Sequence, residues 1–147
     1  QNYCWDTNGC RLRYLWKGKF LDASRHWGGK GHARGNVLAK RYWMAKKDFK
    51  PWSLGGKKVT PRYLGYELKE GVPTLEYRIE KSVVKEGIEE RGNGVVRNFE
   101  IAPPLAKLAF ALSNVDGVLV RSEGRELKGM VIGLDGVSQF SLEMIRK

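Results

Sequence analysis

Along most of the chain, hydrophobic and polar positions alternate with a period of two, the spacing of a strand with one buried face. In RLRYLW, residues 11–16, Arg11 and Arg13 alternate with Leu12, Tyr14 and Trp16, and Leu15 is the one break. In residues 74–80, Leu75, Tyr77 and Ile79 fall on one face, and Thr74, Glu76, Arg78 and Glu80 on the other. The same reading predicts strands at 37–44, 62–68, 82–90, 95–101, 118–120, 126–132 and 137–145. Turn-forming residues separate them: KEGVP before 74–80, RGNG between 82–90 and 95–101, then SEGR and GLDG. Pro103–Pro104 closes the strand before it, since proline cannot donate to a ladder. Residues 105–113, LAKLAFALS, fit a short helix or a buried strand. Alternation of Leu108, Phe110 and Leu112 with the small Ala109 and Ala111 favours the strand. Two stretches lack the pattern: DASRHWGGKGHARGN at 22–36, with four glycines, and AKKDFKPWSLGGKK at 45–58, read as a basic loop that contains Trp52. Many short strands with regular turns predict an all-β antiparallel β-sandwich, with a barrel as the alternative, and little helix.

Length fits one domain over residues 1–147. The chain begins at Gln1 without Met, and EMIRK stops abruptly after an apparent strand, so it is read as a segment of a longer protein. No apolar run approaches the ~20 residues of a membrane-spanning helix. Charge changes the picture more than composition does. The net charge is +11, and residues 1–60 carry all of it: 14 Lys and Arg against 3 Asp and Glu, with 13 of each sign beyond. Trp5, Trp16, Trp27, Trp43 and Trp52 all fall in the same part. Two readings follow: a solvated basic face over core tryptophans, or a basic and aromatic surface for an anionic partner. Under the second, the ligand-binding candidates are His26, Trp27, Lys30, His32, Arg34, Trp43 and Trp52. The 22–36 loop is its working element, because glycine lets backbone approach a ligand closely.

The only cysteines are Cys4 and Cys10, six positions apart. Their spacing fits no standard zinc finger with His26 and His32, no C-x-x-C redox pair and no C-x-x-C-H haem anchor. The intervening WDTNG is turn-rich, which favours a disulfide closing a hairpin and, with it, an exported protein. Two reduced thiols and a metal pair stay open as alternatives.

No complete catalytic motif is present. Asp22, Ser24 and His26 lie close in sequence, but triads are assembled in space. His26 and His32 could share a metal across the glycine loop. Glu67, Glu76 and Glu80 would form a glycosidase pair only if two faced each other across a cleft; a solvated strand face is the simpler reading. Nucleic acid matches the composition but not an exported protein, so an acidic polysaccharide or an acidic neighbouring domain is the better fit.

NYCWDTNGCRLRYLWKGKFLDASRHWGGKG resembles a stretch of large exported bacterial proteins. In these, a β-rich module is joined to c-type haem domains and sorbosone-dehydrogenase-like propellers. The shared features are the NYC-x-D start, the R-L-R-Y-x-W strand, G-x-F-L-D, and LGYELKEGVPTLEYRI against G-Y-x-L-x-x-G-x-P-x-x-x-Y. The resemblance spans roughly residues 2–101 and includes no catalytic motif. It implies a non-catalytic accessory or binding module of an exported electron-transfer or oxidoreductase protein, periplasmic or extracellular, with no cofactor of its own beside haem c in the parent protein. A free-standing carbohydrate-binding module for acidic polysaccharide is the alternative, and a polysaccharide-active enzyme the third reading.

Overall fold

The period-two segments are strands in a computed structural model, which describes residues 1–18, 21–22, 36–37, 40–127 and 129–147. The strands run β1 Asn2–Asp6, β2 Arg11–Trp16, β3 Leu21–Asp22, β4 Asn36–Val37, β5 Arg41–Met44, β6 Trp52–Leu54, β7 Lys57–Lys58 and β8 Arg62–Lys69. They continue with β9 Val72–Ile79, β10 Ser82–Arg91, β11 Gly94–Ala102, β12 Leu108–Ala111, β13 Val118–Ser122, β14 Arg125–Glu126, β15 Val131–Gly133 and β16 Gln139–Arg146. Every pairing is antiparallel, and no helix occurs among the described residues.

One layer is a seven-stranded sheet, β14-β13-β16-β11-β10-β9-β8. It has two free edges, so it is open and not a barrel. The opposite layer is built from β15-β12-β6-β7 and β1-β2-β5. Alternation decides what lies between. β11 sends Val95, Arg97, Phe99 and Ile101 inward and leaves Asn98 and Glu100 exposed. β10 does the same with Val84, Glu86 and Ile88, and β16 with Phe140, Leu142 and Met144. Leu12, Leu15, Trp43, Trp52, Leu108 and Phe110 meet them from the other side. Phe99 and Phe140, paired across the ladder, stack at 4.3 Å and 3°. Trp52 meets Phe110 edge-on at 4.9 Å and Phe99 at 6.0 Å. Such ring pairs each add about 0.5–1.5 kcal/mol beyond the area they bury.

Three predicted segments differ. The run 37–44 is not one strand: β4 pairs with β3 and β5 with β2, and Lys40 lies outside both. The run 126–132 is not one strand: β14 belongs to the large sheet and β15 to the four-stranded one, so the chain changes layers between them. The stretch 45–58 is not all loop. Trp52–Leu54 pairs with β12 and seats Trp52 at the centre of the core. Its backbone finds partners at Leu108, Ala109 and Phe110, which the basic flanks conceal.

Candidate functional site

Cys4 and Cys10 are not bonded. The β1–β2 ladder sets Cys4 opposite Tyr14 and ends with Asp6 opposite Arg11, so Cys10 lies in the turn beyond it. Three residues of strand, ~10 Å, separate Cys4 from a position facing Cys10. A disulfide requires Cα atoms within ~4.4–6.8 Å. The turn is closed instead by Asp6, whose Oδ1 accepts the Asn8 N–H at 3.0 Å and whose Oδ2 accepts Arg11 Nε at 3.2 Å. Cys10 Sγ donates to Pro61 O at 3.4 Å, and burial, then the charges of Glu86 and Asp6, push its pKa up to about 12. Burial also raises the Cys4 pKa, with Arg13 opposing. Cys10 is thus an inert thiol, and the inference from a disulfide to export falls away.

The core reading of the tryptophans holds for three of them. Trp16 and Trp52 are buried, and Trp43 is only 4% exposed. Trp52 and Trp43 therefore offer no open ring face to a ligand. Trp5 is half-buried, 5.8 Å from Tyr63 and 5.7 Å from Tyr77. His26, Trp27, Lys30, His32 and Arg34 lie outside the described residues, as does Ser24. Among the described residues no three of His, Cys, Asp and Glu gather as metal ligands. Glu67 and Glu76 pair with Lys69 and Lys85, and Glu80 stands exposed in a turn, so the three make no cleft.

The basic surface has a definite place. A groove runs between β5, the turn at 114–117 and the end of β16, as two adjoining depressions of about 490 and 460 Å³. Lys40, Arg41, Tyr42 and Gly117 line both. Trp43, Met44, Asn114 and Asp116 complete one, and Lys17, Arg146 and Lys147 the other. Five cations thus face one carboxylate, and none of the five is in an ion pair among the described residues.

The groove walls are fixed by backbone. Gly117, at φ 77°, lies so close to β5 that a Cβ would collide with the Tyr42 carbonyl oxygen. Asn114 ties the turn to the strand: its Nδ2 donates to Met44 O at 2.6 Å, and its carbonyl accepts Trp43 Nε1 at 3.2 Å. Lys147 N–H donates to Gly117 O at 3.1 Å, holding the chain end against the turn. Arg41 lies 4.8 Å above the Tyr14 ring, a contact that restrains the guanidinium without neutralising it. Burial, opposed by Arg146 and helped by Glu90, pushes the Tyr42 pKa up to about 12, so this phenol adds no negative charge at neutral pH. Trp43, although only 4% exposed, is the one sequence-predicted binding residue among the described ones that lines the groove. Arg146 and Lys147 come from the part of the chain whose charges cancel overall, so the charge count did not single them out.

The chain matches no family model, no curated protein and no solved structure. The resemblance noted above therefore stands on its residues alone.

Proposed function

We propose that this domain is a non-catalytic binding module that receives an anionic partner in the groove between β5 and the end of β16. The observation that carries the reading is the set of Lys17, Lys40, Arg41, Arg146 and Lys147 around one shared depression, without ion-pair partners among the described residues. Walls set by backbone contacts favour binding, because little order must be imposed when the partner arrives. Within the resemblance to exported haem-bearing proteins, the partner is the acidic face of a neighbouring domain; acidic polysaccharide is the alternative. Export itself now has only that resemblance behind it.

The test titrates the domain with polygalacturonate, poly-glutamate and neutral dextran. Binding to the two polyanions should weaken as salt rises, since the Debye length is ~8 Å at physiological ionic strength. Arg41→Glu and Arg146→Glu should each lower affinity about fivefold, on the order of 1 kcal/mol. Lys57→Glu, the same charge change at an exposed position on β7, should leave it within twofold. Equal losses at all three sites, or equal binding of dextran, would refute the groove as the site.

A further inference from the structure

We propose that the domain also pairs with a second copy of itself along β8, strand edge to strand edge, about a two-fold axis at Tyr66. Among the described residues β8 is an edge of the seven-stranded sheet, hydrogen-bonded to β9 alone. It carries three exposed large apolar residues, Leu64, Tyr66 and Leu68, the last two 69% and 67% exposed. Tyr66 faces Leu75 and Leu68 faces Pro73 on β9, so the apolar strip extends inward from the edge. An edge with free N–H and C=O groups and an apolar face is a template for another strand. In a chain of net charge +11, this edge carries little of it: Arg62 and Lys69 against Glu67.

Register identifies a second copy as the occupant. Two antiparallel copies of β8 keep the same face of a continuous sheet only when some residue meets its own twin. Centring on Glu67 sets two carboxylates face to face, and centring on Leu68 leaves Leu64 and Tyr66 with no β8 residue opposite, because β8 ends at Lys69. Centring on Tyr66 pairs Leu64 with Leu68 of the second copy, Tyr66 with its twin, and Gly65 with Glu67 of the second copy. Like charges never meet, and all three apolar residues find apolar partners. The bulge between Tyr63 and Gly65 bends the strand and shortens the usable ladder. The seam therefore falls at the small end of interface sizes, below ~1,200 Å², and association is weak.

Sedimentation velocity over a concentration series should show the mass rising from 16.7 kDa towards twice that value. Added salt should strengthen the pairing by screening repulsion between two copies of charge +11. That is the opposite sign to polyanion binding in the groove, so the two sites fail or succeed separately. Paired Cα atoms in an antiparallel ladder lie ~4.5–5.5 Å apart, within disulfide reach. Under mild oxidation Tyr66→Cys should cross-link to itself, whereas Leu64→Cys and Leu68→Cys should cross-link only when mixed. The unaltered chain controls for Cys4 and Cys10. The double change Tyr66→Lys with Leu68→Lys, at exposed positions, should keep the circular dichroism spectrum and abolish association. A monomer at every concentration and salt, equal cross-linking at all three positions, or association that survives the double change would overturn the proposal.

Discussion

Arg97 is 2% exposed, and its Nε and Nη2 both donate to Glu86 Oε1 at 2.8 Å. Glu86 is wholly buried and accepts the Tyr77 hydroxyl on Oε2 at 2.9 Å. Burial, then the charge of Glu86, raises the Tyr77 pKa well above the usual phenol value, so Tyr77 stays a donor. The guanidinium also lies 5.2 Å from the Phe99 ring and 5.3 Å from Phe110. Arg97→Met keeps much of the side-chain volume and leaves the carboxylate with Tyr77 alone. Removing one partner of a buried pair costs about 3–5 kcal/mol, because the other charge is stranded. Glu86→Leu should cost a similar amount by stranding the guanidinium. The double variant strands no charge; it leaves the Tyr77 hydroxyl without its acceptor, a cost of about 1–3 kcal/mol. Adding Tyr77→Phe removes that as well. Urea denaturation followed by tryptophan fluorescence should therefore rank the double variant as more stable than either single one, and the triple as more stable still. A domain of this size holds roughly 5–15 kcal/mol in all, so each single change will shift the midpoint visibly. Arg97→Met within about 1 kcal/mol of the parent, or a double variant as poor as the sum of the singles, would show that these charges are not buried as described.

Three shorter tests address the turn, the thiols and the groove wall. Burial alone would raise the Asp6 pKa, but the Gly9 N–H, the Arg11 guanidinium and the Asn8 N–H outweigh it and lower the value. Stability from ionised Asp6 is thus present above the unfolded pKa, ~3.9, and is lost as pH falls through the lowered folded value. The gap in melting temperature between parent and Asp6→Asn should close on acidification; a gap that widens is the wrong sign. Without reductant, the unfolded chain should titrate two thiols, and in the native state at pH 8 Cys10 should stay silent. A chain with no free thiol when unfolded would restore the disulfide. Gly117→Ala should destabilise by at least ~1 kcal/mol, through both the positive φ and the clash with Tyr42, and should weaken polyanion binding as the groove wall shifts.

The class of fold was legible because alternation with one wet face is a local signal. Arg11–Trp16 is read with its true ends, and β8 to β11 within two residues or so, for that reason. Trp52 was missed because its strand is three residues long and set among lysines; only the Trp52–Leu54 alternation before Gly55–Gly56 marks it. The Cys4–Cys10 staple failed on register, which no count of intervening residues supplies: a turn of Thr7 to Cys10 leaves Cys4 further up the ladder. A basic binding surface was legible in outline. Its location was not, since Lys17, Lys40, Arg41, Arg146 and Lys147 are joined only by tertiary structure. Splitting the chain at residue 60 hid Arg146 and Lys147 inside a neutral total.

Arg97, Arg11 and Lys85 each hold a carboxylate partner: Glu86, Asp6 and Glu76. The groove instead gathers five cations around one depression with no ion pair among the described residues, and like charges gathered by folding lower the stability of the folded state. That difference makes a prediction whose sign separates a binding site from a structural charge. Arg146→Gln removes one of five mutually repelling cations, so at low salt, without ligand, it should stabilise the domain by about 0.5 kcal/mol. Arg97→Met, at a paired position, should do the reverse. A ligand that binds only the folded state adds stability of about 2.7 kcal/mol at a hundred times its dissociation constant. Polygalacturonate should therefore raise the melting temperature of the parent by several degrees, and that of Arg146→Gln by less, although the variant starts higher. Residues kept for binding at a cost in stability show this crossing of effects, and residues kept for packing do not. If Arg146→Gln lowers the melting temperature without ligand, Arg146 belongs to the scaffold and the groove loses one of its five cations as a recognition element.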